Sequence, residues 1–359
     1  MRQPLTLIQA TFLGLSLLAL YTVLLPFAFN GLRHHAIEAK ISRNLTSDGG
    51  PKLLDTFTGI HTIDLVIQTL VISFWPVVNG RHPALSLLGL TKIGAWGTSY
   101  ILLALEARRT KSTISVVWRL GLIMASMYLL AEAFVLPIYC AVTLPRATKD
   151  QAMPPFRSMQ GLFITIFICF YACLTLLVVP IPALVQDDTR QRLVAVALGW
   201  PLWVFVVLAG RSFLQKDTPR AARIHREQYS PPDRSPLYLL AFLSAATAHL
   251  LAVLAPLVFE EMTLVDIFLP PLPWTITWFS TLVEAMTAFL QWDHVIAGVT
   301  LLLWVVGIYI RDFDGDIDVI ALALQVFVLS VVASPAGAAT VLIWKLDNCL
   351  HERAKGKVI

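Results

Sequence analysis

Residues 236–257 read PLYLLAFLSAATAHLLAVLAPL, with no charged side chain and a single histidine. The run is long enough for the roughly 20 residues an α-helix needs to cross the hydrocarbon core. Backbone polar groups in lipid must be satisfied within the protein, so a run of this length predicts a spanning helix rather than a barrel strand. Comparable runs at 5–29, 60–79, 84–105, 113–141, 159–185, 192–214, 293–310 and 318–344 predict an all-α, polytopic transmembrane bundle. The expected number of crossings is about nine, within a range of about seven to ten. Residues 1–359 are expected to form a single integral membrane domain. The first run exceeds a signal-peptide core and lacks an Ala-x-Ala cleavage site, which predicts a retained first helix.

Composition agrees with that reading. Of 359 residues, 57% are apolar and 14% charged, and mean hydropathy is +0.72, so lipid is the expected solvent. The net charge of +4 is spread over many short loops, which leaves nucleic-acid binding without support. Cys140, Cys169 and Cys173 lie in apolar runs and Cys349 in the tail, a pattern of buried small residues rather than of a disulfide framework or a zinc site. The longer loops, 30–59, 142–158, 215–235 and 258–292, are too small to fold alone, so function is expected between helices or at their mouths. There is no internal repeat, which weakens a transporter built on repeats. The basic segment 211–234, the acidic segment 258–292 and the Asn44-Leu45-Thr46 sequon together predict a cytosolic N-terminus and glycosylation at Asn44. The basic tail then falls on the wrong side unless one span is miscounted, and 273–291 is a candidate extra or re-entrant helix.

Ionisable groups inside spanning helices are costly and therefore candidates for function. In the second span His61, Asp64, Gln68 and Trp75 recur at helical spacing, which would place them on one face, either lining a cavity or forming a structural polar seam. In the fourth, Tyr128, Glu132 and Tyr139 share a face. A carboxyl buried there without a fixed cation is expected to hold its proton, as a general acid requires; a structural Glu bridging two helices fits equally well. Phe289-Leu290-Gln291-Trp292-Asp293-His294 opens the eighth span after an approach containing Trp274 and Trp278, and Asp293 reads either as a site acid or as a helix N-cap. Lys92, near the start of the third span, is expected to snorkel to the interface. The run from Asp312 to Asp318 departs from a calcium-binding loop, because Gly315 stands at loop position 4 and Ala323 replaces the bidentate Glu; a solvated loop is expected. Nucleotide-binding, serine-hydrolase and zinc-protease signatures are absent, so neither metal nor cofactor is indicated.

The pattern Thr58-Gly59-Ile60 with Asp64, then Phe74-Trp75-Pro76, Asn79-Gly80 and Pro83-Ala84-Leu85, and far downstream Phe289 to Asp293, resembles the integral membrane proteins of fungal secondary-metabolite clusters. Within that group it is similar to the membrane-bound terpene cyclases of meroterpenoid and indole-diterpene pathways, through short patches spread over most of the chain. The resemblance implies cyclisation of a polyprenyl chain begun by protonating an epoxide or terminal alkene. No cofactor is implied, and other pathway enzymes are possible partners. Such chemistry needs a neutral carboxylic acid in a dry pocket and aromatic faces to stabilise carbocations. Asp64, Glu132 and Asp293 are then the candidate acids, and Gln68, Trp75, Tyr128, Tyr139 and Trp292 the candidate lining for a greasy prenylated substrate. Residence in the endoplasmic reticulum membrane follows from the sequon and the resemblance. Two alternatives stay open: an exporter of a hydrophobic metabolite, with the same carboxylates as a proton relay, and a non-catalytic scaffold for pathway enzymes.

Overall fold

The computed structural model describes residues 2–29, 31–46, 50–109, 116–146, 167, 185–214, 235–275, 278–313 and 316–356. They form helices joined by short loops, with one isolated β-bridge between Asn44 and Lys52. In chain order these are α1 (Arg2–Ala19), running through a π-turn into α2 (Leu25–Phe29), then α3 (Leu32–Ser42), α4 (His61–Val78), α5 (Pro83–Arg109), α6 (Val116–Leu130) and α7 (Glu132–Thr143). After these come α8 (Asp187–Leu198), α9 (Trp200–Leu214), α10 (Ser235–Leu254), α11 (Leu264–Phe268), α12 (Leu282–Asp312) and α13 (Val319–Gly356).

Among the described residues, 6 helices are long and apolar enough to cross a membrane, and α6 and α7 are shorter apolar helices. The bundle architecture stands; a count of about nine is not reached within these residues. The expected span 159–185 lies outside them except for Phe167 and Val185, as do Cys169 and Cys173. The expected span 192–214 is divided at Gly199 between α8 and α9.

The bundle is built around α5 and α12. In their most apolar windows 78% and 67% of residues are buried, against 17% for α13, so the first two are central and the last is largely peripheral. Helix α5 begins with Pro83 at its first position, where the missing N–H costs nothing. Helix α12 begins at the Thr281 cap, whose hydroxyl accepts from the Glu284 amide at 3.1 Å.

That start corrects the sequence reading in two ways. The expected eighth span and the candidate extra helix 273–291 are largely one helix, and Asp293 is no N-cap but a mid-helix residue only 1% exposed. Glu284, Thr287 and Gln291 lowered the apparent hydropathy of the first turns. Each finds a local partner: Ser280 for Glu284, the Val283 carbonyl for Thr287 and the Asp266 carbonyl for Gln291.

Two helices break at depth. The expected span 113–141 is interrupted at Ala131, a non-glycine at φ 64°, ψ 145°, so Glu132 opens α7 instead of continuing a helix from Tyr128. The left-handed region costs an L-residue roughly 1–2 kcal/mol and persists where surroundings over-determine it. In α13 the break is at Ser334 (φ 71°), just before Pro335. Pro335 has no N–H for the Val331 carbonyl, and His249 Nε2 of α10 takes that carbonyl at 3.0 Å.

Candidate active site

Three charged side chains from three helices meet in the bundle interior. Lys92 of α5 is 2% exposed, and its Nζ lies 2.6 Å from Asp293 Oδ2 and 2.8 Å from Glu132 Oε2, while also donating to the Asp293 carbonyl at 3.2 Å. Asp293 Oδ1 accepts the Ala133 amide at 2.7 Å. The break at Ala131 makes that possible, because it exposes first-turn amides of α7 that an unbroken helix would consume. Ser99 adds a buried hydroxyl next to Glu132, and Lys92 Nζ stands 5.4 Å from the centre of the Trp96 ring.

Lys92 therefore does not snorkel, and Glu132 is not buried without a cation. Both expectations treated one helix at a time, and a lysine two turns inside a span is stable there because two acids from other helices reach it. Two carboxyls and one ammonium are electrically neutral when the carboxyl pair carries one proton. A low-dielectric interior favours that balance, since an uncompensated buried charge costs several kcal/mol.

Asp64 stands elsewhere. It accepts from the Phe57, Thr58 and Gly59 amides at 3.2, 2.7 and 3.1 Å and from the Thr58 hydroxyl at 2.8 Å. Gln68 donates to the Leu54 and Asp55 carbonyls, and buried Gln191 bonds the Leu54 amide and the Lys52 carbonyl. Together they fasten the 52–59 loop to the bundle. Asp64, Gln68 and exposed His61 line a pocket of ≈ 390 Å³ that includes neither Glu132 nor Asp293, so the three acids do not share one chamber. Asp64→Asn places an NH2 group where amide donors converge. It should loosen this loop at a cost of about 1–3 kcal/mol, read as a lower melting temperature in detergent and faster proteolysis within 50–60. Undiminished stability with lost turnover would instead make Asp64 a chemical group.

The expected aromatic lining is likewise dispersed. Trp75 is a core residue, 1% exposed, beneath the Arg190 guanidinium. Trp292 donates to the Pro271 carbonyl at 3.1 Å, Tyr139 is half-buried, and the enclosed Tyr128 hydroxyl has no partner among the described residues. Trp96 is the aromatic at the charged cluster, and sequence reading missed it. The signal was available: Lys92 and Trp96 are four residues apart on one helix, and two spans elsewhere each carry an unpaired acid.

Two cavities lie along α5 and α12, and one of them touches this centre through Lys92 and Trp96. One of ≈ 1020 Å³ opens among the α4–α5 loop, residues 258–279 and the first turns of α12. The other is a small apolar chamber of ≈ 40 Å³, walled by Phe74, Val77, Ile93, Trp96, Val194 and Leu290, with Lys92 in its lining. Their linings neighbour each other on α5 and α12. Leu85 lines the first and Gly89, one turn on, the second; on α12, Gln291 lines the first and Leu290 the second.

The family model described as the CtvD domain matches residues 8–351. The chain belongs to the CtvD domain family. The terpene cyclase sdgD of Emericella nidulans is 41% identical over 352 residues, covering 98% of this chain and 97% of that protein. The terpene cyclase verU1 of Penicillium polonicum is 28% identical over 353 residues, 95% of each chain, and the terpene cyclase ctvD of Aspergillus terreus 25% over 330 residues, 88% and 92%. No solved structure matches. With near full-length kinship to terpene cyclases, this CtvD-family chain is a terpene cyclase of fungal secondary metabolism.

Proposed function

We propose that this CtvD-family cyclase closes rings on a prenylated substrate by protonating an epoxide or terminal alkene, and that the Glu132 and Asp293 carboxyls on Lys92 supply the proton. The observation that carries this reading is the convergence of two buried acids on one ammonium beside an apolar, aromatic chamber. One proton on the pair leaves the cluster neutral; donating it to an epoxide oxygen opens the C–O bond and places a cation on the substrate. Internal alkenes then attack in turn, and transfer of a proton from carbon back to the carboxylate pair ends the sequence, so the reaction is an isomerisation. The Trp96 ring face stabilises positive charge, and the apolar lining disfavours water beside the cation. The reaction so written uses no metal or cofactor.

The chamber holds only ≈ 40 Å³ as it stands, so loading a prenyl chain requires the side chains of α4, α5 and α8 to part. Gly89 tests its use. A Cβ there would lie 2.4 Å from Val77 Cγ1, too close for two carbons, so the chamber wall that both residues share must rearrange. Gly89→Ala should cost about 1–3 kcal/mol of packing and lower turnover more than it lowers stability; equal turnover would place the prenyl chain elsewhere.

The reading is tested with microsomes that contain only this protein, offered an epoxidised prenyl phenol or prenyl indole. A cyclic product formed by the parent protein is the expected result. An unchanged substrate, recovered with folded protein, contradicts it. The same proposal places the chain in the endoplasmic reticulum membrane, with Asn44, in the α3–α4 loop, glycosylated on the lumenal side.

A further inference from the structure

Helices α5, α7 and α12 run in the same direction away from the charged cluster. At one end Lys92 meets Glu132 and Asp293. Toward the other, Arg311 of α12 donates to the Leu144 carbonyl just past α7, and Glu106 of α5 lies within electrostatic reach of Tyr139 of α7. Residues seven apart complete about two helical turns and return to nearly the same line. Seven residues beyond the cluster stand Ser99 on α5, Tyr139 on α7 and Thr300 on α12, and seven further on α5 stands Glu106. Ser99, Thr300 and Glu106 are 3%, 0% and 5% exposed, at a depth where polar groups are costly unless they serve a purpose. The polar line from Lys92 to Glu106 is about 21 Å long.

Three enclosed atoms along this seam have no partner among the described residues: Glu132 Oε1, Thr300 Oγ1 and Trp304 Nε1. Trp304 is 1% exposed and follows Asp293 by about three turns on the same face of α12. Thr300 departs from the other helical threonines. Thr91, Thr287 and Thr340 donate to the carbonyls of Leu87, Val283 and Ala336, four residues back, at 2.8, 2.8 and 3.0 Å. Thr300 makes no such bond, which leaves its proton and its lone pairs to a group outside α12. In α7, Pro137 has no N–H to give the Ala133 carbonyl, so a backbone acceptor next to the cluster loses its helical donor as well. A seam that served packing alone would pair its members with one another. Enclosed polar atoms left open in a row are what internal water resolves, at roughly three hydrogen bonds per molecule.

We propose that the seam between α5, α7 and α12 binds a short chain of internal waters at Glu132 Oε1, Thr300 Oγ1 and Trp304 Nε1, and that this chain carries protons between the carboxyl pair and the far end of the bundle at Glu106 and Tyr139. The inference rests on the reading of Glu132 and Asp293 as the proton-bearing pair. Those carboxyls are each 1% exposed, so bulk water does not reach them directly. Trp304 can only donate, and it anchors a water through the water's lone pair; the Thr300 hydroxyl accepts a proton on one side and releases one on the other. Each transfer makes one O–H bond and breaks another, so no oxidant or co-reactant enters. A proton delivered to Glu132 regenerates the neutral cluster whenever a substrate cation has given its own proton to another acceptor. Thr300 is thus a positioning residue of the proton route.

The test follows the carboxyl C=O stretch of the pair by infrared spectroscopy as the full chain in detergent is moved from water to deuterium oxide, because the band shifts when its proton becomes a deuteron. Asp293→Asn removes the shared proton and identifies the band by its loss. Thr300→Val keeps the shape of the side chain and should slow the shift roughly 10- to 100-fold, as expected when a relaying water loses a buried hydrogen bond. Thr300→Ser keeps the hydroxyl and should restore the parent rate. That rescue separates the route from packing, because valine fills the space of threonine better than serine does. An unslowed shift in Thr300→Val, or a serine variant as slow as the valine one, overturns the proposal. A Thr300-dependent shift in a parent protein that cyclises no epoxide would leave the route standing and remove the reaction. Cyclisation that requires Asp293, with a shift indifferent to Thr300, would do the reverse. A parent protein without an Asp293-dependent band overturns both.

Discussion

Asp293→Asn is expected to abolish cyclisation while leaving the helix bundle assembled. The substitution keeps the shape of the side chain, and its amide oxygen can still accept from the Ala133 amide that Asp293 Oδ1 holds at 2.7 Å. Lys92 keeps Glu132, 2.8 Å away, so the cluster remains a neutral pair. What disappears is the second carboxyl, and with it the proton that a neutral cluster carries. A positioned general acid contributes about 10²- to 10⁴-fold, so turnover should fall by at least that range with expression and melting close to the parent. Glu132→Gln should behave in the same way, because either change removes the same shared proton. A single variant with full turnover would show that the acid lies elsewhere.

Lys92→Met should have the largest effect on stability of any single change in the bundle. It leaves Glu132 and Asp293 facing each other without a cation, each almost fully buried. Removing one partner of a buried ionic cluster typically costs about 3–5 kcal/mol, because the survivors cannot regain water. The triple change Lys92→Met, Glu132→Gln, Asp293→Asn removes all formal charge and should recover most of the lost melting temperature, since buried ion clusters are often replaceable by neutral groups. It should recover no activity. Stability and chemistry are separated by that comparison: a purely structural cluster would give a triple variant both stable and active.

How much of this was legible in the sequence depended on whether a feature belongs to one helix or to several. Apolar runs are local, and the expected spans at 60–79, 84–105 and 236–257 agree closely with α4, α5 and α10 together with its last 3₁₀ turn. The start of α12 was misplaced because Glu284, Thr287 and Gln291 read as a polar loop, and only the folded chain shows their partners. Ala131 carries no local break signal. Its positive φ is imposed from outside, where α12 offers Asp293 to the amides of α7. Glu132 and Asp293 were legible as acids out of place; Lys92 was legible as a cation but read as an interfacial one. Asp64 was singled out by the same rule, yet it sits at the first turn of α4, where a carboxylate has backbone amides to bind.

The most direct test of the account is the position of a bound substrate mimic in an experimental structure of the full chain. A farnesylated phenol whose terminal epoxide is replaced by an amine would carry a fixed positive charge where the cation forms. The account predicts that this ammonium lies within hydrogen-bonding reach of Glu132 or Asp293 and beside the Trp96 ring. Density for the charged end in the pocket around Asp64, with the chamber at Lys92 still shut, would contradict it.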